Sequence, residues 1–285
     1  MKKMIQLLIL ALILKSSVIA QVINVQLKGS GDPVFFLPHI GCSSDMWNEV
    51  AAHFSKKYTT YQFDFAGFAG MKALDSNYTS QYVTALSKYI EEKKLTHITL
   101  FGQNYGAFVA TKLMLANPGK ISRIIASDFY PSLAMVLDTA MTPEKLEKIL
   151  PGVDMAIVAP SAENFKKSQE YVARSMNYMD TTHIPAFVSW QMASDRKTLA
   201  GALVDQLKEN LIPALCQNTV PMLVVSTWYF AKTYKNMDIS EAPAAFDKMY
   251  KGTPFVTHRV TESAKDFIPN DNPIWFIEIA EKFMN

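Results

Sequence analysis

The stretch from His97 to Asn117, HITLFGQNYGAFVATKLMLAN, leaves this chain few ways to fold. Its opening run, His97-Ile98-Thr99-Leu100-Phe101, reads as a buried strand. A tight Gly102-Gln103-Asn104-Tyr105-Gly106 turn follows, and then a helix of small and apolar residues from Ala107 to Ala116. Asn117-Pro118-Gly119 supplies the stop signals for that helix. Two glycines with three residues between them imply that strand and helix pack closely on either side of the turn. Asn104 stands at the centre of that turn. Asparagine is several-fold enriched among non-glycine residues at positive φ, so one expectation is that Asn104 simply relieves strain. The other is that its amide donates and accepts hydrogen bonds to a bound ligand.

Strands alternating with helices surround this stretch. Val22–Leu27, Pro33–Leu37, Tyr58–Phe63, Ile121–Ala126, Pro221–Ser226 and Phe255–Val260 read as further strands. A helix capped by Ser43 or Ser44 and running through Phe54, an amphipathic helix over Tyr78–Lys93 and a last helix over Pro273–Phe283 lie between or after them. That alternation predicts an α/β fold, a mostly parallel sheet flanked by helices. Between Asp128 and Pro221 the pattern changes to helical segments at about 143–150, 162–179 and 195–211, with helix starts at Thr142-Pro143-Glu144 and Ser161-Ala162-Glu163. A helical lid over about 131–215, inserted between two strands, is therefore expected. Met135, Met141, Met155, Met176, Met179 and Met192 make this segment rich in adaptable side chains that suit either a pocket for an apolar ligand or an ordinary core.

Composition matters chiefly at the N-terminus. Lys2 and Lys3 precede an apolar run from Met4 to Leu14, and Ser16-Ser17-Val18-Ile19-Ala20 ends on a small residue. Residues 1–20 are expected to be a cleaved signal peptide, leaving a 21–285 domain that is exported to the periplasm or beyond and has no membrane span. The leader holds Lys2, Lys3 and Lys15, so the mature chain has 25 cations against 26 acids, a net charge of −1. Nothing then favours nucleic acid as a partner. Export permits a disulfide, but the spacing does not say whether Cys42 and Cys216 pair. No spacing of His and Cys suggests a metal site, and no cofactor motif is present.

The layout around Asn104 resembles the nucleophile elbow, G-x-S-x-G, with the serine replaced. Leu37-Pro38-His39-Ile40-Gly41, Ala66-Gly67-Phe68-Ala69-Gly70, Asp128-Phe129-Tyr130-Pro131 and Ser263-Ala264-Lys265-Asp266-Phe267-Ile268-Pro269 stand, in order, where bacterial esterase-like members of the α/β-hydrolase superfamily carry comparable segments. The resemblance covers essentially the whole mature chain. It implies the α/β-hydrolase fold and places the three triad positions at Asn104 for the nucleophile, Asp128 for the acid and Asp266 for the histidine. By the same resemblance, the backbone N–H groups of Ile40 and Tyr105 form the oxyanion hole.

An asparagine amide is not a usable nucleophile at neutral pH, and an aspartate cannot act as a two-nitrogen proton relay. A conventional serine esterase is therefore not expected, and an aspartate nucleophile would need Asp where Asn104 stands. Asp266 either turns to solvent or caps the helix near Pro273, which is the favoured expectation, or approaches Asp128 as a carboxylate pair. His39, His258 and Cys42 are weaker candidates, with structural roles expected for both histidines, and His53, His97 and His183 show no ligand spacing. Asn77-Tyr78-Thr79 is a glycosylation acceptor in a eukaryotic secretory setting alone. Two functions stay open. The preferred one is a pseudo-hydrolase that binds a small, partly apolar molecule or a protein partner. The alternative is an enzyme with altered acid–base chemistry (a lyase, isomerase or unusual hydrolase) built on Asp128, Asp266 and the oxyanion hole.

Overall fold

The computed structural model describes residues 21–285. The expected signal peptide, residues 1–20, lies outside them. Five strands are buried along their whole length or nearly so: β2 (Pro33–Leu37), β3 (Thr59–Phe65), β4 (Ile98–Gln103), β5 (Ile121–Ser127) and β6 (Met222–Thr227). β1 (Ile23–Gly29) and β7 (Val256–Thr261) are more exposed and stand at the edges of one seven-stranded sheet of order β1-β3-β2-β4-β5-β6-β7. β1 pairs antiparallel with β3, and every other pairing is parallel. This is the mostly parallel sheet that the alternation predicts.

Period-two geometry sends successive side chains of these strands to opposite faces, so both faces must be covered. Phe35, Leu37, Leu100, Ile124, Ala126 and Val224 belong to one core cluster, with α2 (Tyr78–Glu92) and α3 (Tyr105–Ala116) packed on it. Val34, Phe36, Phe101, Ile125, Leu223 and Val225 belong to the other, covered by α1 (Asn48–Phe54) and by the C-terminal helix, α14 (Pro273–Met284). Phe36, Trp47, Phe54, Phe101 and Phe276 meet there in tilted and edge-on ring pairs.

Between β5 and β6 the chain is helical: α4 (Leu133–Leu137), α5 (Pro143–Ile149), α6 (Pro151–Ile157), α7 (Ala162–Val172), α8 (Ile184–Ala193), α9 (Arg196–Lys208) and α10 (Ile212–Cys216). The single helix read over 162–179 breaks. α7 ends at Val172, a π-helical turn covers Ala173–Asn177, and Tyr178 is extended. α11 (Tyr229–Lys235) and α12 (Ala242–Met249) join β6 to β7, and α13 (Ile268–Asp271) precedes α14.

The strand order reverses beside β2. The chain leaves β2 toward β3 and returns on its other side as β4. Loops leaving neighbouring strands in opposite directions open a crevice at the carboxyl ends, the usual place for a ligand in such sheets. The loop after β2 and the turn after β4 flank that crevice. Among the described residues no helix is long and apolar enough to cross a membrane. Cys42 is buried and Cys216 exposed, and both are free thiols.

Candidate functional site

The turn after β4 is built by exclusion. A Cβ at Gly102 would collide with the backbone of Ala107, and one at Gly106 with the carbonyl oxygen of Leu37. Both glycines are therefore required, and the loop that follows Leu37 is pressed against the start of α3. Asn104 lies between them at φ 46° and ψ −102°. That is not the left-handed helical region, where asparagine is favoured. It is close to the first central position of a type II′ turn, which belongs to glycine. The expectation that Asn104 relaxes the backbone is thus corrected, because the turn imposes strain on whatever residue stands there.

The Asn104 side chain is consumed within the protein. Its Nδ2 donates to Asp128 Oδ2 at 3.0 Å, and its Oδ1 accepts from Gln206 Nε2 at 3.3 Å. Gln206 is buried on α9 but stands among residues that pass for an ordinary helical surface in sequence, so no signal there singles it out. The backbone N–H of Asn104 donates to the Ser127 carbonyl at 2.8 Å, which ties the turn to the end of β5. Asp128 follows at once, also at positive φ, 47°.

Asp128 is 3% exposed. Burial pushes its carboxyl up to about 6, against hydrogen bonding from Asn104 and Tyr130 that favours the charged form. Its Oδ1 has no hydrogen-bond partner among the described residues. Asp266 neither turns to open solvent nor caps α14. Asn272 takes the capping role instead, accepting from the Trp275 N–H. Asp266 is half-buried, and its carboxyl is held well above the usual range by burial first and then by the negative charge of Asp128. The segment around it is fixed. Gln103 Nε2 donates to the Asp266 carbonyl at 2.8 Å, the Asp266 N–H donates to Met176, and the Phe267 N–H to Asn177. The favoured expectation for Asp266 is corrected by this anchoring to the π-helical turn.

Ile40 lies in the loop after β2, and its carbonyl accepts from Gln191 Nε2 of α8 at 2.9 Å. Tyr105 opens α3, so its N–H is one of the unpaired donors of a helix start. Neither the Ile40 nor the Tyr105 N–H makes a hydrogen bond among the described residues. The Tyr105 ring is buried and its hydroxyl pairs with Thr79 Oγ1 at 2.7 Å.

No histidine of the weaker set supplies a base to a hydroxyl or thiol here. His39 packs edge-on against Phe267, and burial holds its imidazole neutral, lowered to about 3. Cys42 is fully buried beside Gln191 Nε2, and burial pushes its thiol up, away from the reactive thiolate. His258 packs between the rings of Phe246 and Tyr250 on β7. His97 meets Thr96 Oγ1 at 3.2 Å, but both are exposed at the far end of β4 from the turn. Among the described residues no group of three or more His, Cys, Asp or Glu is placed to hold a metal ion.

Comparison with known proteins follows the same lines. No protein-family model matches the chain. The strigolactone esterase D14 of Arabidopsis thaliana is 25% identical over 119 residues, 40% of this chain, and the chain thus spans less than half, 45%, of that relative. Among solved structures, a thermophilic esterase from Thermogutta terrifontis superposes with a TM-score of 0.72 at 14% identity, covering 92% of both chains. The enol-lactonase from Burkholderia xenovorans LB400 gives a TM-score of 0.73 at 13% identity, covering 92% of this chain and 96% of its own.

Proposed function

From the premise that this chain has the α/β-hydrolase fold, we propose that it is a pseudo-hydrolase: it keeps the site of its relatives for binding and has lost serine-hydrolase turnover. One observation carries this reading. The side chain at the tip of the turn is an amide whose donor and acceptor are already engaged, by Asp128 and Gln206. The amide nitrogen is not a usable nucleophile: its lone pair is delocalised into the carbonyl, and Asp128, which accepts its N–H, is far too weak a base to remove that proton. The N–H groups of Ile40 and Tyr105 are retained as donors toward a ligand oxygen. The helices between β5 and β6 act as a lid in this reading, with a small, partly apolar molecule as the ligand, and the leader that ends at Ala20 supports export.

A fluorophosphonate probe should leave the purified protein unlabelled, and short p-nitrophenyl esters should not turn over above background. Labelling at the turn, or turnover that Asn104→Ala abolishes, defeats the proposal. Asn104→Ser combined with Asp266→His should install measurable ester cleavage if the donors and the pocket are intact.

A second reading, altered acid–base chemistry, draws on the closeness of the Asp128 and Asp266 carboxyls. Two carboxyls that cannot both ionise freely hold one proton between them and serve as an acid–base pair.

A further inference from the structure

The hydrogen-bonding account around Asp128 does not balance. Asp128 Oδ1 and Gln103 Oε1 are buried acceptors with no donor among the described residues, and Gln103 is fully buried with its Nε2 on the Asp266 carbonyl. The Asp266 carboxyl accepts no hydrogen bond among the described residues, although it lies close enough to Asp128 to feel its charge. The nearest cation does not correct this. Lys265 Nζ donates to the Arg174 carbonyl at 2.6 Å and sits 5.2 Å from the centre of the Tyr229 ring. Asp271 is occupied elsewhere, accepting from the N–H groups of Met179, Asp180 and Lys265. The Asn104 amide contributes a single donor, to Asp128 Oδ2.

Asp128 holds donors from Asn104 and Tyr130, but its Oδ1, the Asp266 carboxyl and the Gln103 carboxamide oxygen have none, and these call for a group that is all donor and positively charged. A protonated primary amine meets both needs, with three N–H groups and no acceptor. A divalent metal does not fit, because no third ligating carboxylate, histidine or thiol joins the pair among the described residues. We propose that the site binds a primary alkylammonium group, held between Asp128 and Asp266. This rests on the reading of the site as a binding site, and names the ligand's charged end. The alkyl part supplies the apolar character of the ligand in that reading, and next to Asp266 the buried cluster of Phe267, Tyr178 and Phe187 makes the surroundings of the charged end apolar.

The test is isothermal titration calorimetry of the full mature chain with n-hexylamine at neutral pH, with hexan-1-ol and hexanoate as neutral and anionic counterparts. Hexylammonium binds, and the alcohol and the acid bind at least tenfold more weakly. Asp128→Asn and Asp266→Asn each weaken the amine about tenfold or more, the size expected for losing a hydrogen bond to a charged group. Asp266→Glu keeps the charge and retains binding within a few-fold, and circular dichroism of each variant confirms the fold. No binding of the amine, equal binding of hexanoate, or amine binding indifferent to both Asn variants overturns the inference. The fluorophosphonate assay on the same preparation separates the two ideas. Labelling sinks the pseudo-hydrolase reading alone, and failure of the amine without labelling sinks this inference alone.

Discussion

Asp128 shows how one residue couples the site to stability. Its carboxyl is buried and titrates near 6, above the ordinary value of 3.8, so the folded state binds the proton more tightly than the unfolded chain does. The sign follows from linkage. Folding carries no penalty from this group at pH 3, loses stability as pH rises through 4 to 6, and bears the full penalty above that. Asp128→Asn removes the charge, keeps the shape and suits the positive φ of 47° at this position. The variant should be more stable than the parent by about 2–3 kcal/mol at pH 7.5, with the gap closing below pH 4. Urea midpoints at the two pH values check this, and a variant less stable at pH 7.5 would show that the carboxylate is compensated. The thiols give a second residue-scale prediction. With Cys42 at 0% exposure and Cys216 at the surface, a thiol reagent should titrate one group in the native protein and two in denaturant. Titration of none in denaturant would reveal a disulfide. The position of Asn104 was legible from two glycines. Its backbone region was not, because sequence spacing fixes where a turn lies and not which ψ the packing of Leu37 against Gly106 imposes.

The central strands were legible because strands buried on both faces must be largely apolar, as in β2 and β6, while the edge strands β1 and β7 were legible as short β-branched runs, and all seven were placed to within a residue or two. The insertion was less so. α6 has no buried residue and α5 only Leu146, so neither shows the stripe that marks a helix packed on a core. The break after Val172 has no proline or glycine to announce it. It is held instead by tertiary bonds, from Asp266 and Phe267 to Met176 and Asn177. Gln206 was missed for a related reason, since a lone glutamine on a helix reads as solvent-facing until its partner is known. At this scale the turn itself is the sharpest test. Gly106→Ala places a methyl against the Leu37 carbonyl, a backbone atom that cannot rotate away. Forcing such an overpacked contact costs typically 1–3 kcal/mol, occasionally more. A loss of about 3 kcal/mol or more in a denaturant melt is expected, whereas Gly152→Ala, where a methyl meets open space, should change stability little. Equal tolerance at both positions would mean that the strand and the helix do not approach as closely as described.

Across the whole molecule, cohesion is uneven in a way that bears on ligand entry. The two large cores lie on the faces of the sheet and include the strands, α3, α1 and α14. The early part of the insertion has only a small core of its own, in which Ala134, Leu146 and Leu150 meet Leu207 of α9. α9 belongs to both worlds. Leu199 and Ala202 join the main core, Gln206 reaches Asn104, Asp205 accepts the Thr79 N–H, and Glu209 just beyond its end pairs with Lys112 of α3. α9 is therefore fastened to the body of the domain, while α4, α5 and α6 rest on its outer side. Segments with few buried apolar contacts open locally at a small fraction of the global unfolding free energy. Hydrogen exchange should show it. Amides of α5 and α6 should exchange orders of magnitude faster than those of β4 and β5, and α9 should track the sheet. If hexylamine is held between Asp128 and Asp266, it should leave exchange in α5 and α6 nearly unchanged and slow exchange in the Ala173–Asn177 turn, which is bonded to the Asp266 segment. Uniform protection across 133–208 would mean that the insertion moves as one rigid body, and entry would then have to occur by a path other than the loosening of its outer helices.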